Sequence, residues 1–271
     1  MLISLKHKPR WNIDKVEPHK KISAALTRAT DEGRVGLVPF ITAGYPEKDR
    51  FIDTLRKVAA HADVVEVGVP FSDPMADGVT IQRASHIAIA NGVSLHWILT
   101  ELTSAGELGV PIILMSYVNP LLAFGYAELA NACAAAGVCG FIVPDLPLEE
   151  GHDLREAIEA KGIALIQLVT PATPEDRMAR LCAASRGFVY AVTIKGITGG
   201  ATALPPEVPA YLDKVKSFSE IPVCAGFGVR EAAQVTELGA HADGVVVGSA
   251  LVEQLEAGHD PEDFLRSLTG A

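Results

Sequence analysis

The chain has 271 residues, 49% of them hydrophobic and 21% charged, with 24 Gly, 17 Pro and a formal net charge of −10. Such a length suits one large barrel-type domain or two small ones, and the apolar content excludes a disordered chain. The acidic balance repels a phosphodiester backbone and no basic stripe interleaved with aromatics is present, so nucleic acid is excluded as the expected partner.

Residues 1–21 depart from that balance, with six Lys or Arg against two acids. Dispersed charges with Pro9 and Pro18 do not make an amphipathic anchor, so this segment reads as a basic N-terminal arm, solvated or strapped to the surface. The opening "MLISLKHKPR" has an apolar run too short for a signal-peptide core. Cys133, Cys139, Cys182 and Cys224 show no CxxC spacing and lie in apolar surroundings, which points to packed, reduced thiols in a cytoplasmic protein.

In chain order, a helix is expected near Ile22–Glu32, followed by an apolar run, "VGLVPFIT" from Val35. A helical stretch from Glu47 leads to a second run, "VVEVGV" from Val64, and a further helix covers "VTIQRASHIAIA" from Val79. An extra helical stretch, Ser94–Leu108, precedes "PIILMSY" from Pro111. The uncharged segment Val110–Ala127 contains Pro111, Asn119, Pro120 and Gly125, which break a membrane helix; it reads as a buried strand followed by a turn. Then come "GFIVPD" from Gly140, a helix from Glu149, "IALIQLVT" from Ile163, and a helix from Thr173 with Thr173 as N-cap and Pro174 in the first position. "GFVYAVT" from Gly187, "IPVCAG" from Ile221 and "GVVVGS" from Gly244 complete eight apolar runs. Runs apolar throughout suit strands buried on both faces, as parallel strands with helical crossovers are. Eight βα units predict an α/β fold, a single (β/α)8 TIM barrel with extra helices, spanning residues 22–271 as the catalytic domain.

Two segments echo each other. "HADVVEVGVPFSDP" from His61 and "HADGVVVGSA" from His241 run nearly alike for eight residues, but Glu66 stands where the second has Val246. Strand alternation puts Glu66 and Gly68 on one side with Val64, and Val65 with Val67 on the other. With the valines packed on helices, Glu66 points into the barrel near the carboxyl end of the strand, where active sites of this fold lie. A poorly solvated carboxylate there suits a general acid and base; the alternative is an ion pair with a neighbouring Lys or Arg. In the following loop, "FSDPMADG", Asp73 reads as a cap of the loop backbone and Asp77 as a turn residue or helix N-cap.

Gly-rich loops follow three strands: "GITGGA" from Gly196, "GFGV" from Gly226 and "GSAL" from Gly248. Backbone N–H groups at one end of a barrel suit a phosphate site. Lys195 offers either a Schiff base for a carbonyl substrate or a place on an exposed loop. The histidines form no HxH or HxxxH set, so no metal is expected, and Ser72 and Ser249 lack a nucleophile-elbow context.

From Glu66 to Gly78, "EVGVPFSDPMADG" closely resembles the signature of the tryptophan synthase alpha chain family. The likeness extends through "VPFITAGYP" from Val38, "YVNPLL" from Tyr117, "VPDLPLEE" from Val143, "GFVYAVT", "GITG", "GFGV" and "VVVGSALV". It implies a lyase of L-tryptophan biosynthesis that cleaves indole-3-glycerol phosphate to indole and glyceraldehyde 3-phosphate by a retro-aldol reaction. Carried over by motif, Glu66 would protonate the indole ring at C3 and accept the side-chain hydroxyl proton. Asp77 would bind the indole N–H and stabilise the ring cation. Phe40, Met115, Tyr117 and Tyr190 would form the indole side, and Gly199, Phe227, Gly228, Gly248 and Ser249 the phosphate side, with Thr198 on a closing loop. The implied partner is a beta chain, in an assembly of two alpha and two beta chains; it receives the indole and carries pyridoxal phosphate, so this chain would need no cofactor.

The sequence departs from the family pattern in places. Val79 stands where proline usually follows "ADG", "TGGATALPP" lacks the usual arginine, Lys195 matches no family role, and the arm before Lys21 is longer than in many members. The other readings kept are a stand-alone indole-3-glycerol-phosphate lyase, a Schiff-base aldolase using Lys195, and a non-catalytic binding subunit.

Overall fold

A computed structural model of the chain describes residues 16–193, 205–226 and 228–269. Eight strands close into a barrel in sequence order: β1 (Gly36–Thr42), β2 (Val65–Gly68), β3 (Ile112–Met115), β4 (Val138–Ile142), β5 (Ala164–Val169), β6 (Val189–Val192), β7 (Val223–Gly226) and β8 (Gly244–Val247). Every neighbouring pair is parallel. The helices that follow are α1 (Pro18–Asp31), α2 (Phe51–Ala59), α3 (Val79–Ala90), α4 (Leu95–Ala105), α5 (Val118–Phe124), α6 (Tyr126–Ala135), α7 (His152–Glu159), α8 (Glu175–Ala184), α9 (Val208–Phe218), α10 (Ala232–Gly239), α11 (Ser249–Glu256) and α12 (Pro261–Thr269). This is the (β/α)8 TIM barrel expected from the sequence, with α1 and α4 among its additions.

Alternation along the strands builds two cores. Ile41, Val65, Val67 and Leu114 point outward and pack with helix residues such as Leu55 and Leu102. Val38, Val64, Ile113, Ile142, Ile166, Phe188 and Val246 fill the barrel interior. Ile22 and Leu26 of α1 join that inner core, so α1 closes the mouth at the strands' amino ends. The fit is close: a Cβ on Gly36, at the start of β1, would lie 2.7 Å from Leu26 Cδ2. With that end plugged, the carboxyl ends of the strands remain as the mouth for a site.

The twin "HAD" sequences make the same backbone clasp. Asp63 donates its N–H to Leu37 O at 2.9 Å and accepts from Leu37 N–H at 2.9 Å. Asp243 does the same to Val223, with both contacts at 2.8 Å. Each aspartate thus locks the strand it precedes to the strand before it. Arg34 adds a two-pronged pair to Asp63, and Lys216 pairs with Asp243.

Four local expectations change. α1 begins at Pro18, ahead of Ile22, and β4 begins at Val138, ahead of Gly140. The segment after β3 is a helix rather than a turn: Pro120 falls in the first turn of α5, where no N–H is missed, and Gly125 ends it at φ 87°. Thr173 does not cap α8; its hydroxyl accepts the Thr170 N–H at 3.0 Å, within the loop. Among the described residues no helix is long and apolar enough to cross a membrane, and all four cysteines are free and buried.

Candidate active site

Glu66 projects from β2 into the barrel and is 1% exposed. No Lys or Arg among the described residues pairs with it, and its Oε2 has no hydrogen-bond partner among them. Burial pushes its carboxyl up to about 8, and the charge of Asp77 adds to the effect. A proton therefore stays on Glu66 at neutral pH.

Asp77 lies in the loop after β2, and Gly78 rather than Asp77 occupies the N-cap of α3, without a side-chain cap. The Asp77 carboxyl is pushed up to about 6 by burial, opposed by a hydrogen bond from Tyr117. Tyr117 is buried at the start of α5, and its hydroxyl also accepts the Ala76 N–H at 2.8 Å. Its ring stacks on Phe71 at 5.1 Å. Gln82, one turn into α3, donates to the Asp77 carbonyl at 2.8 Å. Tyr117 therefore acts on the Asp77 carboxyl, while Gln82 holds the Asp77 backbone. Asp73 is exposed and takes the Ser72 hydroxyl, not the loop backbone.

Between these groups opens a cleft of about 230 Å³, including its open mouth, lined by Phe40, Thr42, Gly68, Val69, Asp77, Ile81, Ser85, Met115 and Tyr117. Glu66 lies beneath this lining, paired in register with Phe40. Gly68 is needed for the shape: a Cβ there would lie 2.6 Å from Phe40 Cε2, so the Phe40 ring occupies the space a side chain would take. Phe40, Met115 and Tyr117 line the cleft. Tyr190 does not line it; it lies across the barrel on β6, against Gly226, where a Cβ would come 2.5 Å from its hydroxyl. Burial, then the charge of Glu66, raises the Tyr190 phenol well above its ordinary range.

Ile81 and Ser85 belong to no motif, and Thr42 falls within "VPFITAGYP" without a site role there. Their signal is periodicity, since Thr42 follows Phe40 by two along a strand, and Ser85 follows Ile81 by four along α3.

The expected phosphate end is described in part. Gly248 is the N-cap of α11 and Ser249 its first residue, so the unpaired first-turn N–H groups point out of the mouth. The atom nearest to a Cβ on Gly248 would be Phe40 Cβ, at 3.8 Å, which leaves the approach open. Gly228 follows β7 and is half-buried. Phe227, Thr198, Gly199 and Lys195 lie outside the described residues, and with them the aldolase reading. Among the described residues no group of three or more His, Cys, Asp or Glu is placed to hold a metal ion.

Comparison with known proteins gives a consistent result. The family model for the tryptophan synthase alpha chain matches residues 26–269. Tryptophan synthase alpha chains of Roseiflexus castenholzii and Desulfovibrio desulfuricans are 42% and 44% identical to it, covering 92% and 89% of this chain and 99% and 96% of theirs. A tryptophan synthase structure from Mycobacterium tuberculosis superposes with a TM-score of 0.85 at 34% identity, covering 92% of this chain and 96% of that one. The alpha subunit from Legionella pneumophila gives 0.82 at 32% identity, covering 92% and 97%. The chain belongs to the tryptophan synthase alpha chain family.

Proposed function

We propose that Glu66 and Asp77 divide the chemistry of the family reaction between them. That reaction is the retro-aldol cleavage of indole-3-glycerol phosphate to indole and glyceraldehyde 3-phosphate, and the chain is a carbon–carbon lyase of L-tryptophan biosynthesis. The observation that carries the division of labour is the placement of the two carboxyls, Glu66 fully buried beneath the cleft and Asp77 in its lining, so that burial raises Glu66 to about 8 and Asp77 only to about 6. Two carboxyls whose surroundings separate their proton affinities take opposite roles.

At neutral pH Glu66 delivers its proton to C3 of the indole ring. The ring becomes cationic, and the Asp77 carboxylate accepts the ring N–H and stabilises that charge. Glu66, now ionised, accepts the proton of the hydroxyl on the side-chain carbon attached to C3. The C–C bond breaks, its electron pair returns to the ring, and the hydroxyl carbon leaves as the aldehyde. Glu66 ends protonated, so the cycle closes without an external base.

Phe40, Met115 and Tyr117 hold the ring, with Tyr190 beside Glu66. The phosphate sits on Gly199, Phe227, Gly228, Gly248 and Ser249, and Thr198 belongs to the closing loop. Holding the remote phosphate fixes the reacting carbon. The catalytic unit is the barrel together with α1, which begins at Pro18, and the basic arm lies ahead of that helix. A beta chain is the partner, in an assembly of two alpha and two beta chains, and pyridoxal phosphate belongs to that chain alone. Met75, Val79 and Leu122, at 79%, 67% and 60% exposure, give the rim beside the cleft an apolar face for that contact. Free, buried cysteines agree with work in the cytoplasm.

The test is indole release by the purified chain, with and without a beta chain. Glu66→Gln loses at least about 100-fold in turnover; near-normal turnover refutes its role, and Asp77→Asn with full turnover refutes that of Asp77. A chain that releases indole at the same rate with and without a beta chain is a stand-alone lyase.

A further inference from the structure

One carboxylate ties the two ends of the cleft together. Glu253 lies one turn after Ser249 on α11. Its Oε2 accepts from Arg230 Nη1 at 2.7 Å, and its Oε1 accepts from Arg230 Nη2 at 3.0 Å and from Thr80 Oγ1 at 3.2 Å. Arg230 stands two residues beyond Gly228, and its own N–H is held by Gln234 Oε1 at 2.8 Å. Thr80 is the second residue of α3, three beyond Asp77. A second tie, Arg83 to Glu256, repeats the contact one turn further along both helices. Beneath them Ile81, Ala84 and Val252 pack with Phe40 and Tyr45. α3 and α11 therefore run side by side in the same direction across the top of β1.

Both partners of the Arg230–Glu253 pair are part-exposed, at 44% and 34%, and such pairs contribute little to folding. Their geometry matters for another reason. Binding energy from a remote phosphate helps the reacting bond only if the phosphate seat and the ring seat keep a fixed spacing.

We propose that Glu253 is a positioning residue: through Arg230 and Thr80 it fixes the phosphate seat at Gly228, Gly248 and Ser249 relative to Asp77, so that occupancy of either end strengthens binding at the other. This rests on the reading that phosphate binds at those three residues and the indole N–H at Asp77. The ties are long-range, joining the loop after β7, the helix after β8 and the helix after β2, and no other carboxylate among the described residues joins those three elements.

The experiment measures binding of inorganic phosphate and of indole to the full chain, each alone and each in the presence of the other. In the wild-type chain each ligand strengthens the other about 5-fold or more. Glu253→Ala brings that factor below about 2-fold while each ligand alone binds within about 2-fold of wild type, and kcat for indole-3-glycerol phosphate falls about 10-fold. Arg230→Gln, which spares the Thr80 contact, gives the same loss if Glu253→Ala does not fold. The paired exchange of Arg230→Glu with Glu253→Arg restores the coupling. Undiminished coupling in both single variants, or none in the wild type, overturns the proposal. Failure of the wild-type chain to bind phosphate or indole at all instead refutes the seats on which it rests, and the proposal with them.

Discussion

Replacing Glu66 by Gln should lower activity and raise stability, and the two effects have separate pH signatures. Glu66 is buried, its Oε2 has no hydrogen-bond partner among the described residues, and burial pushes its carboxyl from 4.5 up to about 8. Between those values the folded chain keeps a proton that the unfolded chain has released. Its contribution to stability is therefore complete below pH 4.5 and is lost as pH rises through about 8. At about 1.4 kcal/mol per pH unit the interval is worth about 5 kcal/mol as an upper bound.

Gln does not titrate, so the variant lacks this slope, though its buried amide leaves a donor unpaired at a cost of about 1–3 kcal/mol. The variant is then no more stable than wild type at pH 4.5 and more stable by about 2–4 kcal/mol at pH 8.5. Urea unfolding at half-unit steps from pH 4.5 to 8.5 reads the difference in slope, and the contribution of Asp77 is common to both proteins. Indole release from the same preparations should fall about 10²- to 10⁴-fold. Parallel stability profiles would refute the claim that a destabilised, proton-holding carboxyl lies in the barrel, whatever the activity.

Three further outcomes follow from the same geometry. The kcat–pH profile should be a bell, falling below about 6 as Asp77 takes up a proton and above about 8 as Glu66 loses one; a profile flat from pH 5 to 9 contradicts both roles. Tyr117→Phe removes a bond that lowers the Asp77 value, so the acid limb moves to higher pH while kcat/KM drops about 10-fold or more; an unmoved limb would show that Tyr117 does not touch Asp77. Val79→Pro should stabilise by about 0.4–1 kcal/mol, read as a higher urea midpoint, because Val79 is the first residue of α3 and Gly78, at φ −73° and ψ 163°, already has the backbone that proline requires of its predecessor. A lower midpoint refutes it.

What the sequence reveals here follows from where the physics is local. The strands are legible because parallel strands buried on both faces become continuous β-branched runs. The inward aim of Glu66 is legible because alternation has a period of two. α5 is not, since Pro120 and Gly125 look like breakers, and only the exact start and end of the helix make them permissible. The hydroxyl of Thr173 had two acceptable uses, and the loop rather than the helix took it. The Arg230–Glu253–Thr80 group joins residues 23 and 173 apart, and nothing local to any of the three announces the others. Tyr117 shows both limits: its motif gives the residue, but the bonds to Ala76 and Asp77 that give it a task exist only once α5 meets the loop after β2.

The echo between β2 and β8 shows how a shared sequence comes to do different work. Both copies begin with the same aspartate clasp, so their strands start alike. Closing eight strands into a barrel requires them to be staggered, so matching positions do not stay level. Val246 pairs in register with Val38 of β1, while Glu66 pairs with Phe40, two residues nearer the mouth. Val246 thus lies in the deep apolar layer, in the core that holds Val38, Cys224 and Phe188. Glu66 lies one layer higher, under the cleft and within reach of the charge of Asp77. On β8 that higher layer is reached only at Gly248, where the chain turns into α11 and offers N–H groups instead of a side chain. The acid therefore owes its chemistry to its layer in the barrel rather than to the motif that surrounds it, and the same stagger brings the proton-transfer group and the phosphate seat to the mouth on opposite sides of β1.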